Sequence, residues 1–185
     1  MKPLKAYKTC SINEYILLEE AGEIRHEFVN GYLIEMLAAS REHHKMRKRL
    51  LDIMELLLTD PKNEVYTENM KVAIPGENQF YYPDIMITKE FETGQNLYIQ
   101  FESTLFAEDL SETTLKDTVN RLIQYRKIPT LQYYLLVQPE NPLLICYYRK
   151  ANNEWDMVSY TKKKEIVNLL KLKVSFSLQK LYSPD

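Results

Sequence analysis

The run Tyr81-Tyr82-Pro83-Asp84-Ile85-Met86-Ile87 constrains this chain more than any other stretch. Proline lacks an amide hydrogen and fixes φ, so Pro83 is expected to keep the preceding segment from pairing as a central strand and to force an extended entry. Ile85, Met86 and Ile87 then read as a short buried strand. Asp84 therefore stands at the mouth of an apolar strand, where a carboxylate needs a cation, a hydrogen-bond donor or a catalytic use. A second apolar run, Thr104-Leu105-Phe106-Ala107, ends on Glu108. Two carboxylates on adjacent strand ends suit a hard divalent cation, because Mg²⁺ takes oxygen ligands and is usually held by one or two carboxylates plus waters.

Around these strands the hydrophobic pattern alternates between helix and strand. Residues 11–21 read as a helix capped by Ser11, with Glu14 as the capping-box partner and Gly22 as C-cap. Tyr15, Leu17 and Leu18 give it an apolar side. Asn30-Gly31 is a hairpin signal between strands at 27–29 and 32–36, since both residues tolerate positive φ. Residues 40–58 read as the main helix, N-capped by Ser40. Met46, Leu50, Ile53, Met54 and Leu57 recur there at three- and four-residue spacing, and Pro61 ends it.

One or two strands follow over 64–74, with a turn at Pro75-Gly76. Strands at 84–88 and 105–110 flank a variable polar segment around Gly94. A second helix is expected over 113–126, with Leu115, Val119, Leu122 and Ile123 on its apolar face. Residues 132–137 form a strand, 143–149 and 154–161 an antiparallel pair around Asn152-Asn153. Residues 165–182 hold a short strand and a turn docking Leu178, Leu181 and Tyr182. The order is mixed α/β, strands grouped around two core helices in one domain over residues 1–185.

Composition excludes more than it selects. A net charge of −2 argues against a general polyanion-binding surface but leaves room for a local basic patch. Fourteen tyrosines against one tryptophan point to half-buried strands or a wet groove where rings pack and hydroxyls stay hydrated. Cys10 and Cys146 lack metal-finger spacing and imply no disulfide framework, so a reducing, cytoplasmic setting is expected. Residues 1–9 carry no apolar signal core, and no stretch has the length of a membrane span.

The ordered motifs resemble the Uma-two family of restriction-endonuclease-like proteins, within the PD-(D/E)XK nuclease superfamily. The elements that carry the likeness are Ser11-Ile12-Asn13-Glu14-Tyr15 and the run from Arg25-His26-Glu27-Phe28 through Asn30-Gly31 to Glu35-Met36. His43 follows near the start of the main helix, then Tyr82-Pro83-Asp84-Ile85 and Glu108-Asp109-Leu110-Ser111 with Thr113. Asp117 and Arg121 lead to Tyr125-Arg126-Lys127-Ile128-Pro129-Thr130-Leu131. The tail Phe176-Ser177-Leu178-Gln179-Lys180-Leu181-Tyr182 completes it. No single motif is specific, but their order and spacing together are. Two departures stand out. Arg121 occupies the position where the family carries a lysine, and the linker after Glu108 is one residue short. Arginine stabilises phosphate charge but cannot act as a general base near neutral pH.

The resemblance implies a restriction-endonuclease-like core, a sheet flanked by helices with additional antiparallel hairpins. It also implies that Glu27, Asp84 and Glu108 hold Mg²⁺ or Mn²⁺, with Arg121 as a fourth catalytic residue. His43 and Arg121 are the candidate phosphate contacts. From the residues alone, Asp109 and Glu102 compete with Glu108, because neighbouring strand side chains face opposite ways; the resemblance selects Glu108. Glu35 and His44 read as surface residues, and His26 should face away from Glu27. Lys116 is an outside candidate for a migrated lysine. Arg41, Lys45, Arg47, Lys48 and Arg49 form a basic helix start that suits phosphate without diagnosing it. Lys162-Lys163-Lys164 reads as a charged loop.

These features lead to a metal-dependent nuclease hydrolysing phosphodiester bonds in nucleic acid, DNA in the first instance, with a homodimer as a candidate assembly. The alternative is a catalytically weakened domain of the same fold that binds nucleic acid or protein. A third reading is a purely structural dimerisation domain.

Overall fold

The computed structural model describes residues 6–22, 24–36, 40–67, 70–89, 99–100, 102–110 and 115–182. The expected polar segment around Gly94, the linker residues Ser111 and Thr113, and the side chain of Lys116 lie outside the described residues. The chain runs β1 (Ala6–Thr9), α1 (Ile12–Ala21), β2 (His26–Val29), β3 (Tyr32–Glu35), α2 (Arg41–Leu57), β4 (Asn63–Thr67), β5 (Lys71–Ala73) and β6 (Gln79–Tyr81). It continues through β7 (Ile85–Lys89), β8 (Ile99–Gln100), β9 (Leu105–Asp109), α3 (Leu115–Tyr125), β10 (Tyr133–Val137) and β11 (Leu144–Arg149). It ends with β12 (Trp155–Tyr160), β13 (Ile166–Leu169), β14 (Val174–Ser177) and α4 (Gln179–Tyr182).

Two six-stranded sheets carry the site. The first has order β1-β3-β2-β6-β5-β8, the second β12-β11-β10-β9-β7-β4, and β13 pairs with β14 as a separate hairpin. β9 and β10 run parallel, joined by the α3 crossover, while β7 pairs antiparallel with β9. This is the mixed α/β arrangement expected. Pro83 does not keep the preceding segment out of a sheet interior: β6 pairs with both β2 and β5. The proline instead falls after β6, where the chain leaves one sheet and enters the other at β7.

Strand alternation in the second sheet builds two cores. Ile85, Ile87, Leu105, Ala107, Leu135 and Val137 face Met46, Leu50 and Met54 of α2, with Phe176, Leu178 and Leu181 closing that layer. Met86, Phe106, Tyr134 and Leu136 face the other way, onto Leu122 and Tyr125 of α3 and Val72 and Tyr81 of the first sheet. A third cluster packs Tyr15 of α1 on Phe28, Leu33 and Phe80.

Local chemistry sets the element ends. Ser11 and Glu14 form the reciprocal capping box of α1. Ser40 accepts the His43 amide at the start of α2. Asn30 and Gly31 take φ of 51° and 92°, the turn an Asn-Gly pair favours. Gly22 is extended rather than left-handed. Its requirement is spatial, because a Cβ there would lie 2.8 Å from the Leu18 carbonyl oxygen.

Two helices bury only part of the face their apolar residues predict: Tyr15 of α1 and Leu122 of α3 turn inward as expected, while apolar neighbours stay outside. In α1, Tyr15 and Glu19 are buried while Leu17 is 65% exposed. In α3, Thr118, Leu122 and Tyr125 are buried while Val119 and Ile123 are exposed. In both cases a polar group with partners elsewhere in the chain decides the face. Several tyrosines likewise belong to the core rather than to a wet surface: Tyr15, Tyr125 and Tyr134 are wholly buried. Among the described residues, no helix is long and apolar enough to cross a membrane.

Candidate active site

The register of β7 on β9, with Ile85 opposite Ala107, carries Asp84 to the position opposite Glu108. Both residues line one pocket at the end of the strands, together with Asp109 and with His43 and Arg47 of α2. Alternation along β9 sends Glu108 and Asp109 to opposite faces.

On the α3 face, Glu108 is buried. Its Oε1 accepts from the Tyr125 hydroxyl at 2.7 Å and from Arg121 Nη1 at 3.2 Å, and its Oε2 accepts from the Tyr134 hydroxyl at 2.9 Å. Burial raises its pKa most; Arg121 and the Tyr125 hydroxyl pull it back, Asp84 and Glu27 push it further, and the net direction is up. Like-charge crowding therefore contributes, but desolvation leads.

Arg121 comes from α3, one turn before Tyr125. Its Nη1 lies 2.8 Å from Glu27 Oε1 and its Nη2 donates to Glu27 Oε2 at 2.9 Å. The guanidinium sits over the Tyr81 ring, 5.3 Å from its centroid. Burial works against its charge, but Glu108 and Glu27 outweigh that and hold its pKa well above the ordinary value. Glu27, on β2 of the other sheet, also accepts weakly from the Tyr82 amide at 3.4 Å. Arg121 is thus the clasp between the two sheets at this point.

On the α2 face, His43 stands between two carboxylates. Its Nε2 is 2.9 Å from Asp84 Oδ1, and its Nδ1 is 3.4 Å from Asp109 Oδ2. Asp84 Oδ2 accepts the Asp109 backbone amide at 2.9 Å. His43 therefore touches two carboxylates. Glu102 is exposed. His26 turns away from Glu27 and meets Glu19, at 3.1 Å through Nδ1. Glu19 also accepts the Tyr82 hydroxyl at 2.7 Å, a buried carboxylate that sequence reasoning missed.

The structure brings Glu27 to Glu108 through Arg121, and Asp84 beside Glu108 at the pocket wall. Among the described residues, no three His, Cys, Asp or Glu side chains close around one point as a metal cage. The donor chemistry does fit an open divalent site. A carboxylate offers about four acceptor positions. Asp84 gives one contact from each oxygen and Glu108 Oε2 gives one, so both keep capacity toward the pocket. Two carboxylates completed by water and phosphate oxygens are the usual holder of Mg²⁺.

The family model that matches residues 12–179 is Uma2, described as "Putative restriction endonuclease". The chain belongs to the Uma2 family. Two proteins of Synechocystis sp. are similar to this Uma2 chain. Uncharacterized protein sll1609 is 28% identical over 152 residues, covering 80% of this chain and 85% of that protein. Uncharacterized protein slr1290 is 23% identical over 181 residues, covering 97% and 95%. The crystal structure of "a putative nuclease belonging to DUF820" from Anabaena variabilis superimposes with a TM-score of 0.76 at 14% identity, covering 94% of this Uma2 chain and 97% of that one. That likeness shows the fold.

The residues sequence reasoning left without a role are Tyr125, Tyr134 and Tyr81, which surround the Arg121–Glu108 contact. One signal was available for Tyr125: it lies four residues after Arg121, on the same helical face.

Proposed function

We propose that this Uma2 protein is a metal-dependent nuclease that hydrolyses phosphodiester bonds in nucleic acid, DNA first. The observation that carries the reading is the pairing of Asp84 and Glu108 on one pocket wall, each held by neighbours yet retaining acceptor capacity. Asp84 and Glu108 would hold Mg²⁺ or Mn²⁺, with Glu27 as the third carboxylate of the group. A divalent cation, when bound, supplies positive charge and Lewis acidity at the phosphoryl group. The chain's own residues supply the geometry. His43 and the Asp109 amide fix the Asp84 carboxylate, Tyr125 and Tyr134 fix Glu108, and Arg121 balances the charge of Glu27 and Glu108. Fixed dipoles and charges need no rearrangement as the transition state forms. A cytoplasmic, single-domain nuclease is the form this proposal takes. The test is cleavage of plasmid DNA with Mn²⁺ or Mg²⁺ by wild type and Asp84→Asn. Metal-dependent cleavage lost in the variant supports the reading. Equal cleavage by both would defeat it.

A specific observation favours a second reading, a catalytically weakened domain. Arg121 stands where the family pattern has lysine, and its fork is occupied by Glu27 and Glu108. Arginine keeps its proton in conditions where a desolvated lysine can release it. Cleavage gained on Arg121→Lys, from an inactive wild type, would select this reading.

A further inference from the structure

The chain's one tryptophan stands beside two arginines. Trp155 opens β12, with the Arg149 guanidinium 4.9 Å and the Arg126 guanidinium 5.8 Å from its ring centroid. An indole face attracts a cation more strongly than the other aromatic rings do. Arg149 is fixed by the backbone. Its Nε donates to the Leu131 carbonyl at 2.8 Å, and its Nη2 donates to the carbonyls of Arg126 at 3.0 Å and Ile128 at 2.8 Å. Those acceptors are neutral, so they satisfy its donors without cancelling its charge. Arg126 follows the last residue of α3, and its amide still donates to the Leu122 carbonyl at 3.1 Å, so the helical turn carries it outward. Its side chain is exposed, and among the described residues it meets the indole and no carboxylate.

The acids of this region are paired elsewhere or turned away. Glu77 meets Lys127, and Glu154 meets Lys150 at 3.1 Å. Arg149 and Trp155 are register partners, as are Tyr148 and Asp156 one step along, so alternation sends Asp156 to the other face of the sheet. Burial lowers the Arg149 pKa and the charge of Arg126 lowers it further, as two cations do when no anion stands between them. The indole Nε1–H is buried and, among the described residues, has no acceptor. What is left unmatched here is therefore donors and positive charge. An anion with several acceptor oxygens completes such a set, and arginine is the side chain best shaped to hold a phosphate.

We propose that Arg126, propped on Trp155, holds a backbone phosphate of nucleic acid outside the Asp84–Glu108 pocket and so anchors the strand that the pocket acts on. This rests on the nuclease reading above and assigns a substrate contact within it. The same helix links the two places. Arg121 and Tyr125 of α3 reach Glu108, and Arg126 lies five residues beyond Arg121, about 7.5 Å along the helix axis. Phosphates recur about every 3.4 Å along each strand of a duplex, so a strand lying along α3 brings successive phosphates past both levels. Contacts of this kind position a strand without reading its sequence. They also suit a chain whose net charge of −2 leaves attraction to nucleic acid to local places.

The test uses the indole as its own reporter, since Trp155 is the only tryptophan of the chain. A short unlabelled DNA duplex is titrated in EDTA and again in Ca²⁺ while Trp155 emission is followed. A fluorescein-labelled copy gives the affinity by anisotropy across a salt series. Duplex binding should change the Trp155 emission of wild type. Arg126→Ala should lose that change and weaken binding by roughly tenfold, as loss of one charged hydrogen-bonding partner does. Its salt slope should fall by about 1, the signature of one lost phosphate contact. Arg126→Lys keeps the charge and should recover the slope. Lys150→Ala, whose amine meets Glu154 instead, should bind close to wild type. Arg126→Gln, which retains most of the stem, covers the case in which the alanine variant melts early. Wild-type affinity and slope in both Arg126→Ala and Arg126→Gln would overturn the assignment while leaving the nuclease reading intact. A loss in Lys150→Ala equal to that in Arg126→Ala would also overturn it, because any surface cation would then serve. If wild type binds no duplex in either buffer, the assignment and the nucleic-acid reading fall together.

Discussion

Arg121 and Glu27 meet side-on across 94 residues of sequence, with contacts of 2.8 and 2.9 Å. One guanidinium thereby ties the first sheet to the second, because it also reaches Glu108 on β9.

Removing that guanidinium leaves two buried carboxylates without their cation. Arg121→Ala should cost about 3–5 kcal/mol, the usual cost of breaking a buried pair by deleting one partner. For a chain of this size that is a fall in Tm of roughly 10 °C. An exposed helix pair would cost only about 0.3–0.5 kcal/mol. Urea unfolding separates the two, and a midpoint unchanged from wild type would show that the contact carries no stability.

Divalent metal should stabilise the native state by mass action. At a hundred times Kd the gain is about 2.7 kcal/mol. Melts in EDTA and in rising Mn²⁺ should diverge for wild type and coincide for Asp84→Ala. A wild-type melt that ignores Mn²⁺ over the whole range contradicts the proposed site.

His43 stands against Asp84, where it can fix that carboxylate. With its 2.9 Å contact removed, the Asp84 carboxylate keeps, among the described residues, the Asp109 amide. His43→Ala should therefore weaken Mn²⁺ affinity by about 10–100-fold, as loss of an orienting partner does. Titration calorimetry on folded variant protein measures this directly, and wild-type affinity in the variant would remove the positioning role.

The buried tyrosines make stability collapse in alkali. Burial raises the pKa of Tyr15, Tyr125 and Tyr134, with Glu108 adding for the last two. A group whose folded pKa is raised contributes its stability fully below the unfolded value, here near 10, and loses it as pH rises beyond. Each of the three should then cost roughly 1.4 kcal/mol per pH unit above 10. Unfolding and tyrosinate absorbance should appear together just above pH 10. Early, graded tyrosinate absorbance from all tyrosines in a still-folded protein would contradict the burial described.

Much of the frame was legible in the sequence because it follows from short-range rules. The capping box at Ser11, the Asn30-Gly31 turn and the α2 stripe of Met46, Leu50, Ile53 and Met54 need only local chemistry and periodicity. The faces of α1 and α3 were only partly legible by the same rules: Tyr15 and Leu122 are buried as expected, Leu17, Val119 and Ile123 are not. Glu19 goes inward because Tyr82 and His26 supply its donors, and Arg121 goes inward because Glu27 and Glu108 await it. Those partners lie up to 94 residues away, and apolar periodicity cannot register them. The same applies to His43, whose partners are on β9 and at the mouth of β7.

The division of β9 between two cores has a consequence for how this gene can change. Ala107 and Asp109 look toward α2, Phe106 and Glu108 toward α3. Deleting a single residue upstream within the strand would exchange the faces of all that follow. Glu108 would leave its two tyrosines and Asp109 would leave His43 in the same event. Point substitutions in this strand can be absorbed one contact at a time. A single-codon deletion would remove both sets of contacts at once, so the length of this strand matters to the pocket as well as its residues.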